Sequence, residues 1–223
     1  MDILSLFPNV DVLEIWEASR DTLLMLGWSL LFTVVLGLPL GVVLFLTSPR
    51  QLLESRRVYQ CLSVVVNLLR SLPFIILLVL MMPITPLIAG TSLGVPGAIP
   101  PLVVGTAPFF ARLVETALRE VDRGIIEATQ SMGATIRQIV FRALLPEALP
   151  GIIAAVTVTT IALVGYTAMA GAVGAGGLGD LAIRNGYQRF QTDVMVVTVV
   201  ILIVLVQVVQ SLGDRLVAHF SRK

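Results

Sequence analysis

Residues 22–46 read TLLMLGWSLLFTVVLGLPLGVVLFL, a run without a single charged side chain. A helix needs about 20 apolar residues to cross the hydrocarbon core of a bilayer, so this stretch is read as a membrane span. Four further candidates lie at roughly 58–82, 96–115, 149–170 and 193–212. The composition agrees, with 57% hydrophobic and 13% charged residues, against about 25% charged in a soluble domain. The expected fold class is an all-α membrane protein, a bundle of five transmembrane helices. No linker, low-complexity tract or internal repeat divides the chain, so residues 1–223 are read as one transmembrane domain. The third run carries Pro100, Pro101 and Pro108, and proline in a span needs neighbouring helices to satisfy the freed carbonyls. That run is therefore placed inside the bundle.

Arginine placement sets the expected orientation. With the N-terminus outside, the cytoplasmic side holds Arg50, Arg56, Arg57, Arg112, Arg119, Arg123, Arg137, Arg142, Arg215, Arg222 and Lys223, eleven in all. The outside holds three, Arg20, Arg184 and Arg189, and Arg70 lies within a span. The N-terminal tail is acidic, with Asp2, Asp11, Glu14, Glu17 and Asp21. The C-terminus then lies in the cytoplasm, as does the segment between the third and fourth runs. The start has no basic region and no small-residue cleavage site, so the first span is expected to be retained. Trp16 and Trp28 suit a headgroup boundary outside.

That cytoplasmic segment, about 116–146, contains Glu127-Ala128-Thr129, then Gly133-Ala134, then Leu145-Pro146. It reads as a polar helix from Thr116 to about Met132, a break at Gly133, and a second short helix from Ala134 to Leu144 ended by Pro146. Ala128, Gly133 and Ala134 would let a partner approach closely. Glu127 could bond a partner arginine or cap a helix N-terminus. A charged helix–turn–helix at the membrane face calls for something that docks on it.

Other features divide between functional and structural readings. Pro73, in Arg70-Ser71-Leu72-Pro73-Phe74, implies a kink or break near mid-membrane. Arg70 costs about 2.5–3.5 kcal/mol at the bilayer centre, and either serves the pathway or satisfies carbonyls that Pro73 frees. Thr157, Thr160, Val164, Thr167 and Gly171 share one helical face, suited to packing or to lining a path. The glycine run Gly171–Gly179 lacks the Gly-Lys-Ser/Thr of a phosphate loop and reads as a tight re-entrant turn. A net charge of +1 leaves no nucleic-acid footprint, and one Cys61 and one His219 give neither a disulfide nor a metal site. No cofactor is expected. No paired carboxylates and no Ser-His-Asp set point to catalysis, so the chain is not read as an enzyme. A secondary transporter would need acidic residues inside the bundle, and only Glu115 and Asp193, near span ends, come close.

The 127–146 pattern resembles the EAA loop of bacterial ABC-importer permeases, where the loop is the socket for the ATPase. Glu127, Ala128, Gly133, Leu145 and Pro146 match at the family spacing, while Thr129 replaces Ala and Ala143 replaces Ile. With the Arg70–Phe74 element, Gly90-Thr91-Ser92-Leu93-Gly94, the Gly171–Asp180 run and Gly186-Tyr187, the chain looks like the methionine-import ABC transporter permeases. The resemblance implies a multi-pass protein of the bacterial inner membrane that forms the path for methionine, in its L and D forms. It implies a homodimer, two cytoplasmic ATPase subunits that hydrolyse the ATP, and a periplasmic or lipid-anchored methionine-binding protein. A methionine near the end of span four plugs the closed path in that family, and Met169 occupies the matching position. Related importers of other small amino acids or osmoprotectants remain the alternative, ahead of a secondary transporter.

Overall fold

The computed structural model describes residues 8–221, and every regular element among them is helical. Arg222, Lys223 and Asp2, used above to orient the chain, lie outside the described residues. Four helices are long and apolar enough to cross a membrane: α1 (Val12–Thr47), α5 (Gly94–Arg119), α9 (Leu149–Gly171) and α11 (Thr192–Phe220). Between α1 and α5 lie α2 (Arg56–Ser71), α3 (Phe74–Met81) and α4 (Thr85–Ala89). The α2–α3 pair passes the same test only as a broken span, bent by 101°.

The break follows from Pro73. The residue before a proline is pushed out of the helical region, and Leu72 is extended at ψ 128°. Pro73 then opens α3, its carbonyl accepting from the N–H groups of Ile76 and Leu77. The expected kink is thus a full interruption with two separate axes.

α1 starts at Val12, ten residues before the apolar run, because Asp11 caps it by accepting from the Leu13 N–H at 2.8 Å. At 36 residues it is about 54 Å long, against a hydrocarbon core of about 30 Å. Trp16 and Trp28 are about 18 Å apart along it, so they cannot both mark the same boundary.

α5 is the central helix, with Leu102, Phe110, Ala111 and Val114 fully buried. Its contact with α1 is close because small residues face each other. A Cβ at Gly37 would strike Phe110 and the Ala107 carbonyl, and one at Gly41 would strike Ala111 and Val114. Small residues four apart on facing helices are how spans approach when lipid offers no hydrophobic drive. Thr33 and Thr106 hydroxyls bond across this contact at 2.6 Å. The proline-bearing third run is therefore interior, as expected. α11 is the least buried of the four, with Val196, Val200, Ile203, Val204 and Val208 exposed.

The glycine run does re-enter, as a helical element rather than a bare turn. Gly174, Gly176 and Gly177 all have positive φ, which turns the chain back after α9. α10 (Gly177–Leu181) and a wider π-helical turn (Ala182–Tyr187) follow. Side chains at Gly171 or Gly179 would collide with backbone of the opposing strand of this hairpin. The Leu178 N–H donates to the Thr22 hydroxyl at 2.9 Å. Arg184 pairs with Glu14 of α1 at 3.0 Å and with Asp180 at 3.2 Å. Burial disfavours the Arg184 charge, but its hydrogen bonds to Asp180 and Glu14 outweigh this and hold the guanidinium above its ordinary range.

Candidate coupling and gating sites

After α5 the chain caps a new helix at once. Asp122 accepts from the Gly124 N–H at 2.7 Å and opens α6 (Arg123–Ser131). α6 ends in a Schellman motif. The Gly133 N–H donates to Gln130 O at 2.9 Å and the Ala134 N–H to Thr129 O at 3.2 Å. Gly133 sits at φ +76°, which only glycine takes without strain. Thr135 then opens α7 (Ile136–Ile139) in a capping box with Gln138. The expected break at Gly133 is present, with its hydrogen bonds accounted for.

The second helix runs further than expected. Pro146 does not end it. Proline cannot donate to the helical ladder, and the ladder slips into a π-helical turn over Val140–Leu144, where the Leu145 N–H reaches Val140 O. Pro146 then sits in the first turn of α8 (Leu145–Glu147), where its missing donor is harmless.

This segment is clamped to the membrane bundle. Ile126, Ile139, Val140, Leu144 and Ala148 join one buried cluster with Phe45, Phe110, Val114 and Leu118 from the ends of α1 and α5. Its other side is open. Glu127, Ala128, Gly133 and Pro146 are exposed, and Ala134 and Leu145 are half-buried. Thr129 turns its hydroxyl onto the Ile125 and Ile126 carbonyls of its own helix, so the hydroxyl adds no unmet polar group where the family has alanine. The open side also carries Met132 at 77%, Phe141 at 63% and Ile136 at 39% exposure. The sequence reading missed these three. Together they leave apolar surface on the open side of a segment otherwise rich in polar residues.

A second cluster ties α2 to α5. Glu115 is buried, and Arg112 and Arg119 donate to its carboxylate at 2.5 and 2.6 Å. The Tyr59 hydroxyl adds a bond at 3.2 Å, and Arg112 also reaches the Asn67 side-chain oxygen at 3.2 Å. Both carboxylate oxygens are thus engaged by guanidinium groups, and Tyr59 and Asn67 tie that cluster to α2. Glu115→Ala should leave two arginines facing a hole. The expected loss lies toward the lower end of the about 3–5 kcal/mol typical of a broken buried pair, because Arg119 is 40% exposed and can rehydrate. Thermal unfolding of the purified protein measures it, and Glu115→Gln should lose less.

Along α9 the two faces differ. Thr160 and Thr167 are buried, with hydroxyls bonded to Val156 and Val164 of their own helix at 2.7 and 2.8 Å. Thr157 is the contact surface for Gly213 of α11. The opposite stripe carries Val158, Gly165 and Met169; Met169 is 47% exposed and Gly165 has open space where a Cβ would be. Arg70 lies at the end of α2, beside the Pro73 break, with its guanidinium 5.8 Å over the Phe109 ring. The predicted site residues thus separate into the 116–146 platform and the region around α9 and the α2–α3 break.

A bundle with a broken span, a re-entrant glycine hairpin and a docking platform built on the EAA spacing defines a membrane subunit of a binding-protein-dependent importer. The chain belongs to the family of binding-protein-dependent transport system inner membrane components, whose model matches residues 34–223. It is 50% identical over 208 residues to the methionine import system permease protein MetP of Bacillus subtilis, covering 93% of this chain and 94% of that protein. It is 52% identical over 211 residues to the probable D-methionine transport system permease protein MetI of Vibrio cholerae, covering 91% of this chain and 94% of that one. The fold superposes on a chain of the MetNI methionine ABC transporter, solved in inward-facing conformations, with a TM-score of 0.93 and 49% identity over 96% of this chain.

Proposed function

We propose that this chain is the permease subunit of an ATP-driven methionine importer, forming the path for L- and D-methionine across the inner membrane. The observation that carries this is half-identity to methionine permeases along almost the whole chain, not merely in the loop common to many importers. The chain works as a single permease domain, 1–223. It pairs with a second copy of itself, with two cytoplasmic ATPase subunits that hydrolyse ATP, and with a methionine-binding protein outside. A bacterial strain lacking its own methionine importer tests it, supplied with this chain, its ATPase and its binding protein. Uptake of labelled methionine should appear and be competed by unlabelled methionine. Uptake of a different amino acid, uncompeted by methionine, would refute the substrate assignment.

Glu127, Ala128, Gly133, Ala134, Leu145 and Pro146 form the socket for the ATPase, with Met132, Ile136 and Phe141 as its apolar contacts. The clamped apolar side of the segment supports this, because a push on a rigid platform reaches α1 and α5 directly. Met169 is the gate. It projects from the open stripe of α9, and two copies could meet on the dimer axis and close the path with flexible thioethers. Thr160 and Thr167 belong to helix packing within one subunit, given their burial and self-satisfied hydroxyls. Pro73 fixes the break that lets α3 leave the axis of α2.

The N-terminus lies outside and the C-terminus inside. With Cys61 replaced, Arg137→Cys should react with an impermeant thiol reagent only from the cytoplasmic side, and Gln188→Cys only from outside. Both positions are exposed. Reversed labelling would put the platform on the wrong side for ATP.

A further inference from the structure

Arg70 is the arginine that the sequence places within a span. Among the described residues the ion pairs engage Arg112, Arg119 and Arg184, and Arg70 has no carboxylate within reach. From Arg56 at the start of α2 to Arg70 is about 21 Å of helix, and Arg70 is exposed one turn beyond Asn67, which Arg112 reaches from α5. An arginine within a span faces a water-filled cavity or the bundle interior, and marks a substrate or ion pathway more often than a packing site. Here the cavity exists. It holds about 260 Å³ and is lined by Arg70 and Leu72 at the helix break, Phe74 of α3, Gly105 and Phe109 of α5, and Tyr166 of α9. Phe74 and Tyr166 stack face to face at 4.3 Å between centroids, nearly parallel at 3°, which joins them into one aromatic wall. Gly105 keeps the wall open: a Cβ there would press on Phe74 and Leu77 at 3.3 Å. The volume suits a small amino acid, being below the roughly 300–1,000 Å³ of sites for drug-sized ligands.

We propose that this cavity is a transmembrane subsite for the transported amino acid, with Arg70 binding its α-carboxylate and the Phe109, Phe74 and Tyr166 rings receiving its apolar side chain. The chemistry is complementary on both counts. A guanidinium fork matches a carboxylate through two parallel hydrogen bonds, and a thioether gains from contact with ring edges. The location fits transport as well. Tyr166 lies three residues before Met169 on α9, so cavity and gate occupy the same side of that helix, one turn apart. The subsite therefore sits immediately on the α9 N-terminal side of the gate. This inference rests on the importer reading.

The test uses the permease–ATPase complex carrying Cys61→Ser and Leu72→Cys, Leu72 being 39% exposed at the cavity rim. The rate of labelling by a small thiol reagent is measured without ligand, with L-methionine, and with L-methioninamide, which lacks the carboxylate. L-Methionine should slow labelling, and methioninamide should need about a tenfold or higher concentration for the same protection, the scale of one charge-assisted hydrogen bond. Arg70→Gln should abolish protection, read against that variant's own unprotected rate because a nearby cation affects thiol reactivity, while ATPase co-purification is retained, and Arg70→Lys should keep part of the protection. Equal protection by the two ligands, no protection by either, or full protection in Arg70→Gln overturns the subsite. If Arg70→Gln fails to assemble, the two-ligand comparison on the parent complex decides alone. Uptake in proteoliposomes is read separately. Should another amino acid be transported and protect Leu72→Cys in an Arg70-dependent way, the subsite stands and the methionine assignment falls.

Discussion

Gly133→Arg is expected to abolish ATP-driven uptake while the protein still inserts and accumulates in the membrane. The structure isolates the cause. Gly133 has φ +76° and nothing within 4 Å of where a Cβ would stand. A Cβ there meets no atom of its own subunit and points into open space, so the internal penalty is chiefly the left-handed backbone, about 1–2 kcal/mol. Gly133→Ala carries the same backbone penalty without the bulk and should retain substantial uptake. A large gap between alanine and arginine can only come from a partner occupying the open space. Near-normal uptake by Gly133→Arg would remove the platform from the coupling account. Glu127→Ala should be milder, weakening ATPase assembly by about 1.5–3 kcal/mol, the scale of one charged hydrogen bond.

Met169→Trp is expected to bring substrate flux down to background, with ATPase binding intact. Met169 projects from α9 with about half its surface uncovered, so a ring can extend from that open side, where the proposed path lies. Met169→Ala should do the reverse, raising passive leak or basal ATP hydrolysis several-fold, because the closed path loses its apolar plug. Flux in proteoliposomes with and without ATP separates the two. If both variants behave as wild type, Met169 is a packing residue and closure occurs elsewhere.

Much of this was written in the sequence because the bilayer is a demanding solvent. Apolar length located the four helices long enough to cross, and Pro73 located the break in the fifth candidate, since a spanning backbone must satisfy itself in lipid. Helix ends were less legible. α1 begins ten residues before its apolar run because Asp11 caps it and Glu14 pairs with Arg184 from a distant segment, neither of which hydropathy records. The helix inside the glycine run was missed for a related reason. Glycine disfavours helix locally, and α10 forms because Gly171 and Gly179 allow a backbone contact that any side chain would block. In the platform, spacing identified the EAA residues, yet Met132, Ile136 and Phe141 look no different in sequence from the buried Ile126, Ile139 and Leu144. Only the folded helical hairpin decides which of them face outward. Periodicity likewise grouped Thr160 with Thr167 correctly on one face of α9, but it carries no information on whether that face meets a neighbouring helix or a path.

The most direct test of the central claim is methionine accumulation by proteoliposomes that contain this chain, its ATPase and its binding protein. The account predicts accumulation against a gradient that requires ATP on the platform side and persists when proton and sodium gradients are collapsed. Accumulation that proceeds without ATP and disappears with those gradients would contradict it and make the chain a secondary transporter.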